Sequence, residues 1–125
     1  MDWFNSVSIS ALNKSLDGLW AREEVISENI ANYETPEYKS KKVSFEDELL
    51  SQLQQTSGSE SDLIHSIKNV DVTESLSNNG TLREDGNDVD VEAETIEMAR
   101  TQLNYAYSVQ NINEYFARLK SVIRG

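Results

Sequence analysis

The stretch "NIANYETPEYK", Asn29 to Lys39, ends one amphipathic run and begins something else. Upstream of it, Ile9, Leu12, Leu16, Leu19, Ile26 and Ile30 advance by three, four, three, seven and four residues. That is a heptad stripe with Glu23 in one apolar slot, and its narrowness suits a seam against another helix better than a wide globular face. Trp20 broadens the seam, and Trp3 and Phe4 precede it as a separate anchor. Within the quoted stretch, Pro36, the only proline of the chain, pushes Thr35 out of the α region. Asn32 reads as a left-handed C-terminal cap. A cap and a breaker account for Asn32 and Pro36. They leave Asn29, Ala31, Thr35 and Tyr38 unexplained.

Past this corner, "KSKK" (Lys39–Lys42) is a basic cluster suited to a helix C-terminus, an acidic neighbour or solvent. Val43 and Phe45 alternate with polar residues, as in a short extended piece, and Phe45–Leu53 has room for two helical turns. Gln54–Asp62 has no apolar residue and reads as a flexible loop. Ile64, Ile67, Val70 and Val72 are spaced ambiguously between strand and helix, and Asn79-Gly80 is a turn pair able to close a small hairpin.

The C-terminal segment is helix again. Asp90 is an N-cap candidate, with Glu92, Glu94 and Glu97 at the positive end of the helix dipole and Arg118, Lys120 and Arg124 at the negative end. Its apolar stripe runs Ile96, Ala99, Leu103, Ala106, Val109, Ile112, Phe116, Leu119 and Ile123. The mean step, a little under 3.5 residues, implies supercoiling against another helix. Tyr105, Tyr107, Tyr115 and Phe116 cluster there with Asn104, Gln110, Asn111 and Asn113; amides in a seam set register, while tyrosines can simply flank a core.

The expected fold is therefore mainly α and a single domain. Long N- and C-terminal amphipathic helices form an antiparallel, coiled-coil-like pair around a short irregular or β middle, with disordered termini in the free monomer. The expected divisions are an N-terminal helix over 1–32, a signature loop and short extended or helical segment over 33–53, a variable middle over 54–88 and a C-terminal helix over 89–125.

Composition narrows the function. The chain has 125 residues, 38% of them apolar, below the ~45–50% of ordinary globular domains. A formal charge of −11 repels phosphate backbones, which argues against nucleic acid as a partner. Without cysteine there is no disulfide, thiolate zinc site or cysteine nucleophile. The N-terminus lacks the basic and apolar regions of a cleavable signal peptide, and no segment has the length of a membrane span.

The residues also supply no catalytic constellation. His65 is the lone histidine, and Ser59 and Ser61 beside it lie in a run that reads as too flexible to preorganise a nucleophile. The carboxylates Glu84/Asp85 and Asp88/Asp90 read as capping and solvated charge, without an aromatic-lined pocket. Set to EF-hand spacing on Gly86, the acidic turn places Thr81 first, Arg83 third, Asp85 fifth and Glu92 twelfth, a poor calcium loop. No catalytic, metal or cofactor residue is assigned, and no small-molecule substrate is expected.

Two blocks carry a resemblance. "SENIANYETPEYKSKKVSFEDEL" resembles the N-terminal signature of the bacterial flagellar rod, hook and filament-axis proteins, a helix ending in N-I-A-N-x-x-T-P-G-Y-K with a phenylalanine soon after. Asn29, Ile30, Ala31, Asn32, Thr35, Pro36, Tyr38, Lys39 and Phe45 fit it. "REDGNDVDVEAETIEMARTQLNYAYSVQNINEYFARLKSVI" resembles the C-terminal block of the basal-body rod proteins, closest to the proximal rod members. The resemblance covers roughly residues 7–53 and 82–124. It implies a structural subunit exported without a cleaved signal and assembled in the cell envelope. Copies of itself and other rod, export-gate and basal-body proteins would be its partners. The assembly seam would be Ile9, Leu12, Leu16, Leu19, Ile26 and Ile30 with Ile96, Leu103, Val109, Ile112, Phe116, Leu119 and Ile123. Glu37 stands where the family has glycine, and a type I turn or extended path is expected there. The alternatives are a secreted helical-hairpin effector or adaptor, for which Trp20-Ala21-Arg22 lacks the glycine of the W-x-G type, and an enzyme using clustered carboxylates.

Overall fold

The computed structural model describes residues 7–55, 58–78 and 81–124. The order of elements is α1 (Val7–Ala31), β1 (Lys41–Ser44), α2 (Glu46–Leu53), α3 (Glu60–Lys68), β2 (Thr73–Leu76) and α4 (Val91–Arg124). The long terminal helices α1 and α4 pack together, and the short elements form a small body against α1. Val25 and Ile26 share one cleft with Ala93, Glu94 and Ile96, whereas Ser15 and Leu19 share another with Asn104, Tyr107 and Ser108. The two helices therefore run antiparallel.

Helix α1 stops where expected, but not by the expected means. Asn32 is not left-handed; among the described non-glycine residues only Glu37 and Asn78 have positive φ. Asn32 caps through its side chain instead. Its Nδ2 donates to the Glu28 carbonyl at 2.7 Å, its backbone N–H reaches the same carbonyl at 3.0 Å, and its Oδ1 accepts from the Thr35 hydroxyl at 3.0 Å. The Glu28, Asn29 and Ile30 carbonyls of the last turn are satisfied without a left-handed residue.

The middle segment is more ordered than its composition implies. Ser59 caps α3 in a reciprocal box with Asp62, at 3.2 Å and 3.4 Å, so the end of the polar run is a helix start. The ambiguous apolar spacing after it resolves as helix through Lys68. Strand β2 pairs antiparallel with β1 in the register Lys41↔Leu76 to Ser44↔Thr73. Its partner thus lies far back in the sequence and not across a local turn. The Asn79-Gly80 pair and residues 1–6, Trp3 and Phe4 among them, lie outside the described residues, as does residue 125, so the expected disorder of the termini falls partly there.

The core joins Leu19 and Val25 of α1, Val43 of β1, Phe45, Leu49 of α2, and Ile67 and Val70, with Tyr105 of α4 packed on it. Gly18 makes this possible. In mid-helix a glycine costs about 0.5–1 kcal/mol relative to alanine, but a Cβ at Gly18 would overlap the Phe45 ring. Arg22 then closes over the ring, its guanidinium carbon 5.2 Å from the centroid. It pairs with both Glu46 oxygens at 2.5 and 2.6 Å and donates to the Val43 carbonyl at 2.8 Å.

Candidate assembly interface

The two sequence blocks meet in space and clasp each other. Asn29 is fully buried at the end of α1. Its Nδ2 donates to the Lys41 carbonyl at 2.8 Å, and its Oδ1 accepts from the Lys41 N–H at 3.0 Å and the Tyr38 hydroxyl at 2.9 Å. One side chain thus fixes both the helix end and the outer edge of β1, a role for which its amide has both donor and acceptor.

Asn87, also fully buried, does the same from the other block. Its Nδ2 donates to the carbonyls of Asn32 at 2.7 Å and Thr35 at 2.9 Å, and its Oδ1 accepts from the Val89 N–H at 2.8 Å. The Glu37 N–H reaches the Asp85 carbonyl at 2.8 Å, and the Ser40 N–H reaches the Asp88 carboxylate at 2.7 Å. Lys39 donates to the Gly86 carbonyl, and Arg83 to the carbonyls of Tyr33 and Val89. Lys41 lies 3.9 Å from Glu28. Within the basic cluster after the corner, Lys39 therefore serves a carbonyl and Lys41 an acidic neighbour.

Glu37 corrects an expectation. Its φ is 66°, the left-handed conformation that a glycine at this position would adopt, not a type I or extended path. Non-glycine residues pay about 1–2 kcal/mol there. Across from it, Gly86 has φ 83°, and a Cβ on Gly86 would lie 3.2–3.3 Å from the Glu37 carboxyl and Cα. The close approach of the two loops holds Glu37 in its turn.

Several of the remaining chemical candidates have structural employment. Asp85 accepts from the Asn87 N–H at 3.0 Å, and Asp90 accepts from the Ala93 N–H at 3.2 Å as the cap of α4. Arg83 occupies the acidic turn with its cation. His65 is exposed on α3, its Nε2 3.0 Å from the Asn69 amide nitrogen, and Ser59 is a helix cap. Burial pushes the Glu94 carboxyl up; a hydrogen bond from Asn29 opposes this, Glu97 and Asp90 add to it, and the net shift is upward. For Glu46 burial also pushes up, but the Arg22 hydrogen bond and charge outweigh it and hold the carboxyl below its ordinary value. Burial raises the Tyr38 phenol, helped by Glu28, Glu94, Asp88 and Glu74, so it keeps the proton it donates to Asn29.

The seam positions divide into two sets. On α1, Ile9, Leu19 and Ile26 are buried and Leu12, Leu16 and Ile30 half-buried. On α4, Leu119 is buried and Val109 and Ile112 are half-buried, whereas Ile96, Leu103, Phe116 and Ile123 are exposed. The inward face of α4 is carried instead by Thr101, which is buried, and Tyr105. Ile96 and Leu103, each 60% exposed, follow one side of α4 with the exposed Tyr107, which shares a groove with Leu50 and Leu53 of α2. This open groove of about 400 Å³ is lined by Leu19, Phe45, Leu49, Leu50, Leu53 and Tyr107 together with Ser15, Glu46, Asn104 and Ser108. Exposed apolar patches are where proteins commonly meet partners.

Sequence reasoning alone does not reach Gly18, Arg22, Arg83, Asn87 and Thr101. A glycine inside an amphipathic helix is a usable signal for the first. The acidic turn "EDGND" is conspicuous in the sequence, but its partner across the chain is not.

Comparison with known proteins decides the family. The flagellar basal body rod protein FlgB of Bacillus subtilis (strain 168) is 35% identical over 123 residues, spanning 96% of this chain and 95% of its own. The chain belongs to the FlgB family of flagellar basal body rod proteins. FlgB of Borreliella burgdorferi is 30% identical, with 98% of both chains covered, and FlgB of Borrelia hermsii is 31% identical, with 94% and 96% covered. No family model matches the chain. The coverage includes both blocks of the clasp, which in this FlgB-family chain are joined by the Asn87, Asp85 and Asp88 hydrogen bonds.

Proposed function

We propose that this chain is a structural subunit of the proximal rod of the flagellar basal body, polymerising through its terminal helices into the drive shaft for motility. It works with copies of itself and with other rod and export-gate components, reaches the envelope by flagellar export without a cleaved signal, and catalyses no reaction. The observation that carries this is the outward stripe of α4, Ile96–Leu103–Tyr107, left exposed after α1 and α4 have paired. The hairpin-adaptor reading also draws on the pairing of these helices within one chain. The relatives and the uncovered stripe favour assembly.

The test is Leu103→Glu. Leu103 is 60% exposed, so the charge leaves the monomer folded while placing a buried, unpaired carboxylate in any interface built on the stripe. The variant is expected to fold with unchanged helix content, and both the variant and a deletion strain are expected to be non-flagellated. Normal swimming in soft agar by the deletion strain removes the rod assignment. Normal swimming by the variant alone removes the stripe as an assembly surface.

A further inference from the structure

The two ends of the helix pair carry opposite charge on faces that one chain cannot bring together. On α1 the solvent face runs Asp17, Trp20, Glu24, Ser27 and Glu28, all of them exposed, Trp20 by 57%. The cations of α1 are engaged elsewhere: Lys14 donates to the Lys68 carbonyl at 2.9 Å and Arg22 binds Glu46. Lys41 of β1 lies 3.9 Å from Glu28 at one end of the face, which otherwise is acidic around an exposed indole.

The end of α4 is the reverse. After Glu114 the sequence has no acid, and Arg118, Lys120 and Arg124 are all exposed in a chain of net charge −11. Phe116, Lys120, Ile123 and Arg124 share one side of the helix, with Phe116 40% and Ile123 70% exposed. Basic residues at a helix C-terminus favour the dipole, which accounts for charge in the last turn but not for three cations interleaved with exposed apolar side chains.

The antiparallel pairing of Ser15 and Leu19 with Tyr107 and Ser108 puts this tip beyond Val7, the first described residue of α1, by about 12 Å at 1.5 Å per residue. The acidic face lies further along α1 and on the side turned away from α4. The tip cannot reach it within one chain.

We propose that the α4 tip docks on the Asp17–Trp20–Glu24–Glu28 face of a second copy. Lys120 and Arg124 then meet Asp17, Glu24 and Glu28, and Phe116 and Ile123 cover Trp20, whose ring also attracts the cations. Tip and face are different surfaces, so the contact is head-to-tail and propagates into a filament instead of closing a dimer. The inference rests on the assembly reading above and names its partner and its contact.

Sedimentation velocity of the full chain tests it. One variant, D17K/E24K, makes the face basic; another, K120E/R124E, makes the tip acidic. Circular dichroism checks that both remain helical. Wild type is expected to self-associate with rising concentration, less so at high salt, and each variant to associate at least about tenfold more weakly. An equimolar mixture is expected to recover association, because the basic face of one variant suits the acidic tip of the other and their unchanged surfaces also match. A mixture that associates no better than its components overturns the proposal, as does wild type that stays monomeric into the millimolar range at low salt. Either result leaves the rod assignment to the deletion strain, so the two failures are distinguishable.

Discussion

Replacing Asn87 by aspartate changes one nitrogen to one oxygen, and the structure predicts a large effect. The Nδ2 atom of Asn87 donates to two carbonyls, those of Asn32 at 2.7 Å and Thr35 at 2.9 Å, from a fully buried position. A carboxylate there has no proton to donate and sets its charge against both carbonyls. Losing two hydrogen bonds at about 1–1.5 kcal/mol each, and leaving buried acceptors facing an anion, amounts to about 3–4 kcal/mol. Against a total of about 5–15 kcal/mol this is a substantial fraction. With a urea slope of about 1–3 kcal/mol/M, the midpoint should fall by about 2 M. The loss should depend on pH. The folded state raises the pKa of the new carboxyl above its unfolded value. The penalty is therefore full above the folded pKa and shrinks as pH falls, vanishing in its charge component below the unfolded value of about 3.9. Asn87→Ala, which has no titrating group, should lose about 2–3 kcal/mol with no added pH dependence. Urea unfolding at neutral and acid pH, followed by circular dichroism, gives both numbers. Asn87→Asp within about 1 kcal/mol of wild type at neutral pH, or a deficit that does not narrow on acidification, refutes the claim that this amide holds the two blocks together.

Other outcomes are expected from the same packing. Gly18→Ala should destabilise by about 1–3 kcal/mol despite its better helix propensity, since the added methyl overlaps the Phe45 ring; the penalty should disappear in a Phe45→Ala background, which a double-mutant cycle by urea unfolding reads directly. Glu37→Gly should raise stability by about 0.5–1 kcal/mol by relieving the positive φ, with an unchanged or lower thermal midpoint counting against that strain. Glu94 has a raised folded pKa, so its ionised form opposes folding above that value and the opposition fades as pH falls through it. Glu94→Gln should be more stable than wild type at neutral pH and equal to it below about pH 4. Glu46 has a lowered folded pKa, so its contribution is present above the unfolded value and lost as pH falls through the folded one. Glu46→Gln should cost stability at neutral pH and little in strong acid, read by thermal melts across pH.

Local physics makes much of this chain legible in its amino-acid order. Heptad spacing announces both terminal helices, and the acid-to-base gradient from Glu92 to Arg124 orients the second one. Val43 and Phe45 signal a short strand and a buried ring, found in β1 and the core. Asp90 is readable as a cap because capping is a relation between neighbours. The corner at Asn29–Lys39 is recognisable as specific, but its specificity cannot be explained from within itself.

What tertiary structure decided was every relation across distance. Asn29 and Asn87 are ordinary polar residues until each is seen buried, bonded to backbone that local sequence does not place beside it. Glu37 is by residue type unfit for a left-handed turn; contact with Asp85 and Gly86 holds it there, and a turn's own propensity of about 1–2 kcal/mol is smaller than the sum of such contacts. The partner of β2 lies on β1 and not across the Asn79-Gly80 turn, because pairing depends on which edge the fold leaves open. Periodicity likewise reveals that α4 has an apolar stripe. Only packing against α1 determined which part of it is consumed within the chain and which part, from Ile96 to Leu103, stays exposed.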